Sequence, residues 1–263
     1  MSKTQGVIAL LTDFGLRDWY VAALKGVILS RAPRAQLIDI THGVPPQDVV
    51  AGAFTLAAAV PWFPRGTVFL AVVDPGVGTE RALLAAQVDD RYLVGPDNGV
   101  LALSLERAKR HTIVRLANHQ FWLRDVSRTF HGRDILAPVA AHLARGGALS
   151  RLGPPAARTM PLRLPAPLRR GRLVSGTVVH VDAFGNLITN LAARRWLPAR
   201  QAGRCALRCR HRRAPVVSSY ADARPGQVVA VVGSLGLLEL AVRNGSAARL
   251  VGAKRGNRVE LIY

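Results

Sequence analysis

Strand-like apolar runs alternate with helical segments through the first half of the chain, and this alternation restricts the fold more than any other feature. Trp19–Ala32 is predicted to be helical until Pro33, which cannot continue a helix, and the alanine-rich Asp48–Val60 is also predicted to be helical. Strands that lack a polar face need cover on both sides. We therefore predict an α/β domain with a mostly parallel sheet flanked by helices. The three predicted strands of this region are Val7–Thr12, Gln36–Thr41 and Thr67–Val73.

The same pattern continues in shorter segments beyond the third strand. Two apolar segments on either side of Asp89-Asp90 predict a hairpin, because turn-forming residues separate two strand-like runs. The predicted hairpin strands are Ala82–Val88 and Arg91–Val94. Two further segments are predicted to be helical, Gly99–Ala108 and Asp134–Leu143.

The chain changes character after residue 151. Leu152–Arg172 holds five prolines and several arginines without apolar periodicity, which is typical of a linker. Short strands separated by Gly- and Asn-containing turns follow, and they predict a small, mainly β domain for which a barrel is one solution. We predict domains at residues 1–155 and 172–263, joined by a linker at 156–171. The predicted strands of the second domain are Arg172–Val181, Leu187–Thr189, Ala206–Arg208, Gln227–Val232 and Arg258–Tyr263.

The formal net charge of +20 raises the question of nucleic-acid binding, because basic surface is the footprint of phosphate recognition. Only four of the 36 basic residues are lysines. The excess of arginine, together with abundant Ala, Gly and Pro, indicates a compositional drift toward GC-rich codons. Arginines are concentrated at residues 194–213, where Trp196 is the sole aromatic side chain. Proteins that bind single strands interleave such charges with stacking platforms. The composition therefore does not favour nucleic acid as the main partner.

Several other classes of protein are also disfavoured by the sequence. No apolar run is long enough to span a membrane, and Val7–Leu11 is too short for the core of a signal peptide. Cys205 and Cys209 make no disulfide framework, and with His211 they supply too few ligands for a zinc site. We predict a cytoplasmic protein that is not associated with a membrane.

The first strand ends in Leu11-Thr12-Asp13-Phe14-Gly15, which places a carboxylate and a flexible residue at the edge of the predicted sheet. Ligands collect at the carboxyl ends of strands in open α/β sheets, so Asp13 is a candidate to hold a polar ligand. Asp18 lies in the same loop. Its alternative role is to cap the helix that follows, since aspartate is a preferred N-cap residue.

A second group of polar residues follows the third strand. The segment Asp74-Pro75-Gly76-Val77-Gly78-Thr79-Glu80-Arg81 supplies a carboxylate, a glycine-containing turn and a guanidinium. Fifty residues later, Phe130-His131-Gly132-Arg133-Asp134 adds an imidazole. Together, Asp74, Arg81 and His131 form a set that is able to hold and activate a water molecule. The alternative is a plain tight turn in which Arg81 pairs with Glu80 or Asp74 on the surface.

The second domain carries two further candidate segments. In Asp182-Ala183-Phe184-Gly185-Asn186, an exposed aromatic ring suits stacking on a flat heteroaromatic ligand, and the amide suits its hydrogen-bonding edge. An ordinary turn between two strands is the alternative. Ser234 and Glu239 follow Gly233 in a weaker candidate, for which the alternative is a plain loop before a helical turn.

These segments, in this order and at these separations, resemble the S-adenosyl-L-methionine (SAM) hydroxide adenosyltransferases, relatives of the bacterial fluorinase and chlorinase. The resemblance runs from Leu11 to Tyr263 and includes Thr41-His42-Gly43-Val44-Pro45-Pro46-Gln47-Asp48. It implies an N-terminal α/β domain, a C-terminal β-barrel and a homotrimer with its sites between subunits. It further implies hydrolysis of SAM, the substrate, to adenosine and L-methionine, without a metal or other cofactor.

The resemblance also assigns roles residue by residue. The water-activating triad of the family corresponds to Asp74, Arg81 and His131, and its ribose-binding aspartate corresponds to Asp13. The remaining substrate-binding candidates are Asp18, Phe130, Asp182, Phe184, Asn186, Ser234, Glu239 and the backbone at Val242.

Two departures from the halogenases bear on the reaction. This chain has Asp74 and Val77 where they have a tyrosine and a threonine for the halide, and it has Gly132 where they have a serine. A negative Asp74 would repel a halide ion, so halide transfer is the weaker alternative. A non-catalytic nucleoside-binding module is another alternative. Asp182 stands one position closer to Phe184 than its counterpart in the halogenases, which leaves its contact with the substrate open.

Overall fold

The computed structural model describes residues 6–197 and 204–263. The chain divides into two compact units, with the break between Leu162 and Arg163. This break lies inside the segment 156–171 that the sequence predicts as a linker. Part of the arginine-rich segment 194–213 lies outside the described residues. Among the described residues, no helix combines the length and the apolar character that a membrane span requires.

The first unit is built on a six-stranded sheet with the spatial order β2-β1-β3-β5-β4-β6. β1 is parallel to β2 and β3, and β3 is parallel to β5, whereas β4 runs antiparallel to both of its neighbours. The prediction of a mostly parallel sheet is confirmed, and so is the hairpin of β4 and β5. The six strands are β1 Val7–Thr12, β2 Gln36–Thr41, β3 Val68–Val72, β4 Leu83–Val88, β5 Arg91–Pro96 and β6 His111–Arg115.

Helices cover both faces of this sheet, which explains why its central strands are apolar throughout. Ile8 and Leu10 of β1 pack in one cluster with side chains of α1 and α4, whereas Ala9 and Leu11 pack in a second cluster with those of α2 and α3. The predicted helix over Asp134–Leu143 begins instead as a π-helical turn, Gly132–Leu136, that leads into α4. The helices are α1 Tyr20–Arg31, α2 Val49–Ala59, α3 Ala102–Arg107 and α4 Ala137–Ala144.

The second unit is an eight-stranded antiparallel sheet that curls into a nearly closed barrel. Its main path has the order β11-β10-β14-β8-β9-β13-β12, and β7 pairs with β8 beside it. A bridge between Val216 and Ala230 joins the two ends of this path. Two short helices, α5 Ala193–Trp196 and α6 Ala247–Val251, accompany the strands. The strands are β7 Leu168–Arg170, β8 Leu173–Val181, β9 Leu187–Ala192, β10 Ala206–Cys209, β11 Arg212–Pro215, β12 Val228–Val232, β13 Leu237–Val242 and β14 Arg258–Ile262.

The alternative of a plain loop before a helical turn at Ser234 and Glu239 is wrong. Glu239 lies in the middle of β13, which pairs with β12 and β9. Leucine, glutamate and alanine all favour helices in isolation, but burial between two strands overrides that preference. Strands β6, β7 and β11 were not predicted from the sequence, since they are short and mostly exposed.

Candidate active site

Arg81 joins the other two members of the predicted triad. Its Nε donates to Asp74 Oδ1 at 2.6 Å, and its Nη2 donates to Asp74 Oδ2, in a two-point ion pair. The side chains of Asp74 and Arg81 are 6% and 9% exposed. The pair is therefore buried, and the alternative of a surface ion pair is wrong. Burial matters because the two charges hold each other in a setting where either alone would be costly.

The third member, His131, is held through its Nδ1 atom. Arg81 Nη1 lies 3.2 Å and Nη2 lies 3.3 Å from His131 Nδ1. A guanidinium has no acceptor, so Nδ1 must accept, and the proton of the neutral ring must sit on Nε2. Burial, followed by the positive charge of Arg81, lowers the pKa of His131 below 6.5. The site therefore contains a neutral imidazole that presents an N–H on its far side.

Tight packing of two turns brings these residues together across fifty positions of sequence. Gly78 adopts φ +82°, and a Cβ there would stand 2.6 Å from the carbonyl oxygen of Arg128. Gly132 begins the π-helical turn, where a Cβ would stand 3.1 Å from Val72 at the end of β3. Glycine at residue 78 allows the loop that follows β3 to lie against the backbone at Arg128, and glycine at residue 132 allows the turn that carries His131 to lie against β3.

Asp13 lies at the end of β1, on the same edge of the sheet. Its Oδ2 accepts a hydrogen bond of 2.8 Å from the backbone N–H of Gln47. Burial raises the pKa of Asp13, and the nearby charge of Asp74 raises it further. β1 and β3 are parallel neighbours with Thr12 opposite Val72, so Asp13 and Asp74 both follow strand ends at one edge of the sheet.

Asp18 and Phe130 have different surroundings from Asp13. Asp18 is exposed, and the N-cap of α1 is Trp19, which makes no side-chain cap bond, so the capping alternative for Asp18 is wrong. Phe130 is buried and packs edge-on against Phe14 and Tyr20, with ring centroids 5.7 and 5.4 Å away. The ring of Phe130 is therefore part of a buried aromatic cluster that directly precedes His131 in the sequence.

The second unit has an open cavity of about 970 Å³. Phe184, a residue that is 79% exposed, lies at this cavity, where its ring is available for stacking. Residues from four separate stretches of sequence meet there, among them every candidate that the sequence analysis placed in the second domain. These candidates are Asp182, Phe184, Asn186, Ser234, Glu239 and Val242.

Asp182 organises the turn that carries Phe184 and Asn186. Its Oδ1 accepts from the backbone N–H groups of Phe184 at 3.0 Å and Asn186 at 2.8 Å. Its Oδ2 accepts from Asn186 Nδ2 at 2.9 Å. A carboxylate can only accept, so the orientation of the Asn186 amide is determined. The amide keeps its Oδ1 and one N–H for a ligand, a pattern complementary to one edge of adenine.

Tyr220 is a cavity residue that the sequence analysis missed. Its hydroxyl donates to Glu239 Oε1 at 2.5 Å. Burial raises the pKa of Glu239, and burial together with the hydrogen bond to Glu239 raises the pKa of Tyr220. No sequence motif marks Tyr220, which lies on a short 3₁₀ turn nineteen residues before its partner. Among the described residues, no group of three His, Cys, Asp or Glu side chains is arranged to hold a metal ion.

Comparison with known protein families gives matches in both units. The SAM hydroxide adenosyltransferase N-terminal domain matches residues 8–153, and the C-terminal domain of the same family matches residues 176–260. Together these two matches cover most of the chain.

Several individual proteins resemble the chain, and those named hydrolase match nearly its whole length. Proteins named (R)-S-adenosyl-L-methionine hydrolase from Salinispora tropica and Thermus thermophilus are 43% and 41% identical, and each alignment covers 97% of this chain. It covers 97% of the Salinispora protein and 99% of the Thermus protein. The crystal structure of an uncharacterized conserved protein from Thermotoga maritima superposes with a TM-score of 0.92 at 37% identity, covering 97% of this chain and 100% of that one. A fluorinase from Actinoplanes is 28% identical over 70% of this chain and 71% of its own length.

Proposed function

The chain belongs to the SAM hydroxide adenosyltransferase family, and we propose that it is an enzyme that hydrolyses SAM to adenosine and L-methionine. One observation carries this proposal: the buried guanidinium of Arg81 is bound to Asp74 on one side and to His131 on the other. Such a cluster binds and polarises a single water molecule better than bulk solvent does. The names of the relatives that match over 97% of the chain support the same substrate.

The reaction is a displacement at C5′ of the ribose. The water oxygen forms a bond to C5′, the bond from C5′ to sulfur breaks, and the sulfonium leaves as a neutral thioether with the bonding electron pair. A proton must leave the attacking water. We assign the holding of this water to Arg81, whose guanidinium is oriented by Nδ1 of His131. Because Nδ1 of neutral His131 is occupied by Arg81 and its Nε2 already carries a proton, Asp74 is the proposed proton acceptor.

Two effects are proposed to accelerate the reaction: the positioning of the attacking water and the exclusion of bulk solvent. A water held in line with the bond from C5′ to sulfur is already positioned for attack, which lowers the entropic cost of reaching the transition state. Attack of a hydroxide-like oxygen on the sulfonium neutralises two opposite charges. A site that excludes bulk water therefore favours the transition state over the separated ions. The buried ring of Phe130, the residue before His131, contributes to this exclusion. No metal or other cofactor enters the proposed steps.

Substrate binding divides between two groups of residues. We assign the ribose hydroxyls to Asp13, with Asp18 as a further contact, and the adenine to Phe184 and Asn186. Ser234, Glu239 and the backbone of Val242 are assigned to the same nucleoside. We also propose a homotrimer with each site between subunits, and a cytoplasmic location. Light scattering on the purified protein tests the trimer directly.

Halide transfer is the competing reaction within the family. Asp74 is buried beside Arg81, and its carboxylate would repel a halide ion from the position of the attacking water. The proteins named fluorinase are also more distant from this chain than those named hydrolase. Hydrolysis is therefore the better supported reaction.

The decisive experiment is incubation with SAM in heavy-oxygen water. Mass spectrometry of the products is expected to find adenosine that carries the heavy oxygen at O5′, together with unlabelled methionine. Parallel reactions with chloride or fluoride are expected to give no halogenated nucleoside. Recovery of intact SAM would leave the chain as a nucleoside-binding module, and a halogenated product would make it a halogenase.

A further inference from the structure

His42 is a buried imidazole to which the proposed reaction gives no role. It is 4% exposed and follows β2 directly. Its Nδ1 lies 2.8 Å from Thr12 Oγ1, and its Nε2 lies 3.0 Å from Asp39 Oδ1. Lys25 Nζ lies 2.7 Å from the other oxygen of Asp39. The four side chains form one continuous polar chain from the surface to the end of β1.

This arrangement of hydroxyl, imidazole and carboxylate resembles a hydrolytic triad, but it cannot act as one. Thr12 is fully buried, so no substrate can reach its hydroxyl. Burial acts to raise the pKa of Asp39, yet its contacts with Lys25 and His42 outweigh it and lower that pKa. The ring of His42 thus lies between the Asp39 carboxylate at Nε2 and the Thr12 hydroxyl at Nδ1.

These contacts reach the residues on both sides of Asp13. Thr12 Oγ1 accepts from the backbone N–H of Phe14 at 3.2 Å, so this hydrogen bond links the residues before and after Asp13. The carbonyl oxygen of His42 accepts from the backbone N–H of Gly15 at 2.8 Å. These contacts determine where the backbone turns after β1.

The loop that begins at His42 also returns to Asp13 directly. Gln47, whose N–H binds the Asp13 carboxylate, has φ +64°. This left-handed conformation is uncommon for a residue with a side chain, and it persists only where surrounding contacts enforce it. The loops after β1 and β2 are thus joined at both ends, by His42 near the strands and by Gln47 at the carboxylate.

We propose that His42 is a positioning residue that holds the Asp13 carboxylate in place for the nucleoside. This inference rests on the proposed function only in taking Asp13 as a nucleoside contact. It predicts that a change at His42 acts on nucleoside affinity through Asp13. A purely structural histidine would instead change stability without regard to Asp13.

The test is adenosine affinity, measured by calorimetry, in a double-mutant cycle of His42→Ala and Asp13→Asn. His42→Ala alone is expected to weaken adenosine binding by roughly tenfold, which corresponds to about 1.4 kcal/mol. In the Asp13→Asn background the same change is expected to have little further effect, because coupled residues are not additive. His42→Asn keeps an acceptor toward Thr12 and is expected to recover most of the affinity.

Two controls make the result decisive. His142→Ala alters another histidine of the same unit, which contacts Phe121 and the carbonyl oxygen of Ala148, and it is expected to bind adenosine as the unaltered protein does. If His42→Ala fails to fold, Asp39→Asn is the second variant, because it weakens the contact of the partly exposed Asp39 with His42. It is also expected to lower adenosine affinity.

Two results would overturn the inference. One is normal adenosine affinity in the folded His42 and Asp39 variants, and the other is an equal loss with and without the Asp13 carboxylate. A protein that binds adenosine but leaves SAM intact would refute the proposed reaction and leave this inference standing. Failure of the unaltered protein to bind adenosine would overturn both.

Discussion

The amide nitrogen of Asn186 donates to the carboxylate of Asp182 across 2.9 Å, and this bond determines which atoms of the amide face the cavity. The side chain of Asp182 is occupied by its own turn, since two backbone N–H groups bind its other oxygen. Asp182 is therefore better placed to orient Asn186 than to bind the substrate itself. This assignment can be tested separately from catalysis.

Asp182→Asn is expected to reduce discrimination between adenosine and inosine. An amide at residue 182 can donate to Asn186 Oδ1, so the Asn186 amide is free to flip and present the opposite pattern. Adenosine affinity is expected to fall roughly tenfold, because a charge-assisted hydrogen bond of about 1.5 kcal/mol or more is lost. Calorimetry with both nucleosides measures the ratio. Glu260→Gln makes the same charge change on β14 and should leave it unaltered, and an unchanged ratio in Asp182→Asn would refute the orienting role.

Asp74→Asn and His131→Ala are each expected to reduce turnover by about two to four orders of magnitude, the range of general acid–base catalysis. Adenosine affinity is expected to survive in both variants, because neither residue is assigned to the nucleoside. Single-turnover rates and calorimetry separate the two effects. Arg65→Ala removes an exposed partner of Asp90 and serves as a control with normal turnover. Normal turnover in both triad variants would remove the triad from the mechanism.

Asn186→Ala is expected to weaken the binding of SAM and adenosine with a smaller effect on the chemical step. The change removes a donor and an acceptor from the cavity and leaves Asp182 without one of its three donors. Losing such contacts costs about 1–3 kcal/mol. The ratio of KM to kcat and the affinity for adenosine report the result. An unchanged nucleoside affinity would count against the contact.

Turnover is expected to fall on the acid side with a midpoint below pH 6.5. The pKa of His131 is lowered from 6.5 by burial and by Arg81, and protonation would convert Nδ1 from an acceptor into a donor that faces the guanidinium. Unfolded chains bind this proton more tightly than the folded protein does, so the contribution of His131 to folding stability is also lost as pH falls below 6.5. A pH profile of kcat/KM measures the midpoint of this fall in activity at acid pH. His142→Ala should preserve it, and a midpoint above 6.5 would contradict the assignment.

Gly185→Ala is expected to damage the nucleoside cavity by strain. Gly185 has φ +82°, and a Cβ there would stand 2.0 Å from Ser246 Oγ. The turn from Asp182 to Asn186 must then shift, at a cost of about 1–3 kcal/mol for the strained conformation alone. A lowered midpoint of thermal unfolding together with weaker adenosine binding is expected. Gly171→Ala, at another positive φ with open space around it, separates backbone strain from the clash.

Patterns of local sequence were sufficient for most of the first unit. Val7–Thr12 and Gln36–Thr41 are strands with the predicted bounds, because each is a short run of strand-forming residues bounded by residues that end the strand. β13 was missed because its residues favour a helix, and its state is decided by the strands on either side. Short edge segments such as β7 carry too little apolar sequence for any local pattern to reveal them.

The sequence by itself determined the family, the α/β and β-barrel classes, and the residue types available for chemistry, since these depend on patterns and motifs read along the chain. Only the tertiary structure decided that Arg81 binds Asp74 and His131 at once, that Asp182 orients Asn186, and that Tyr220 meets Glu239. Each of these statements concerns a distance and a direction between atoms. Such contacts across distant turns follow from packing, which no local pattern encodes.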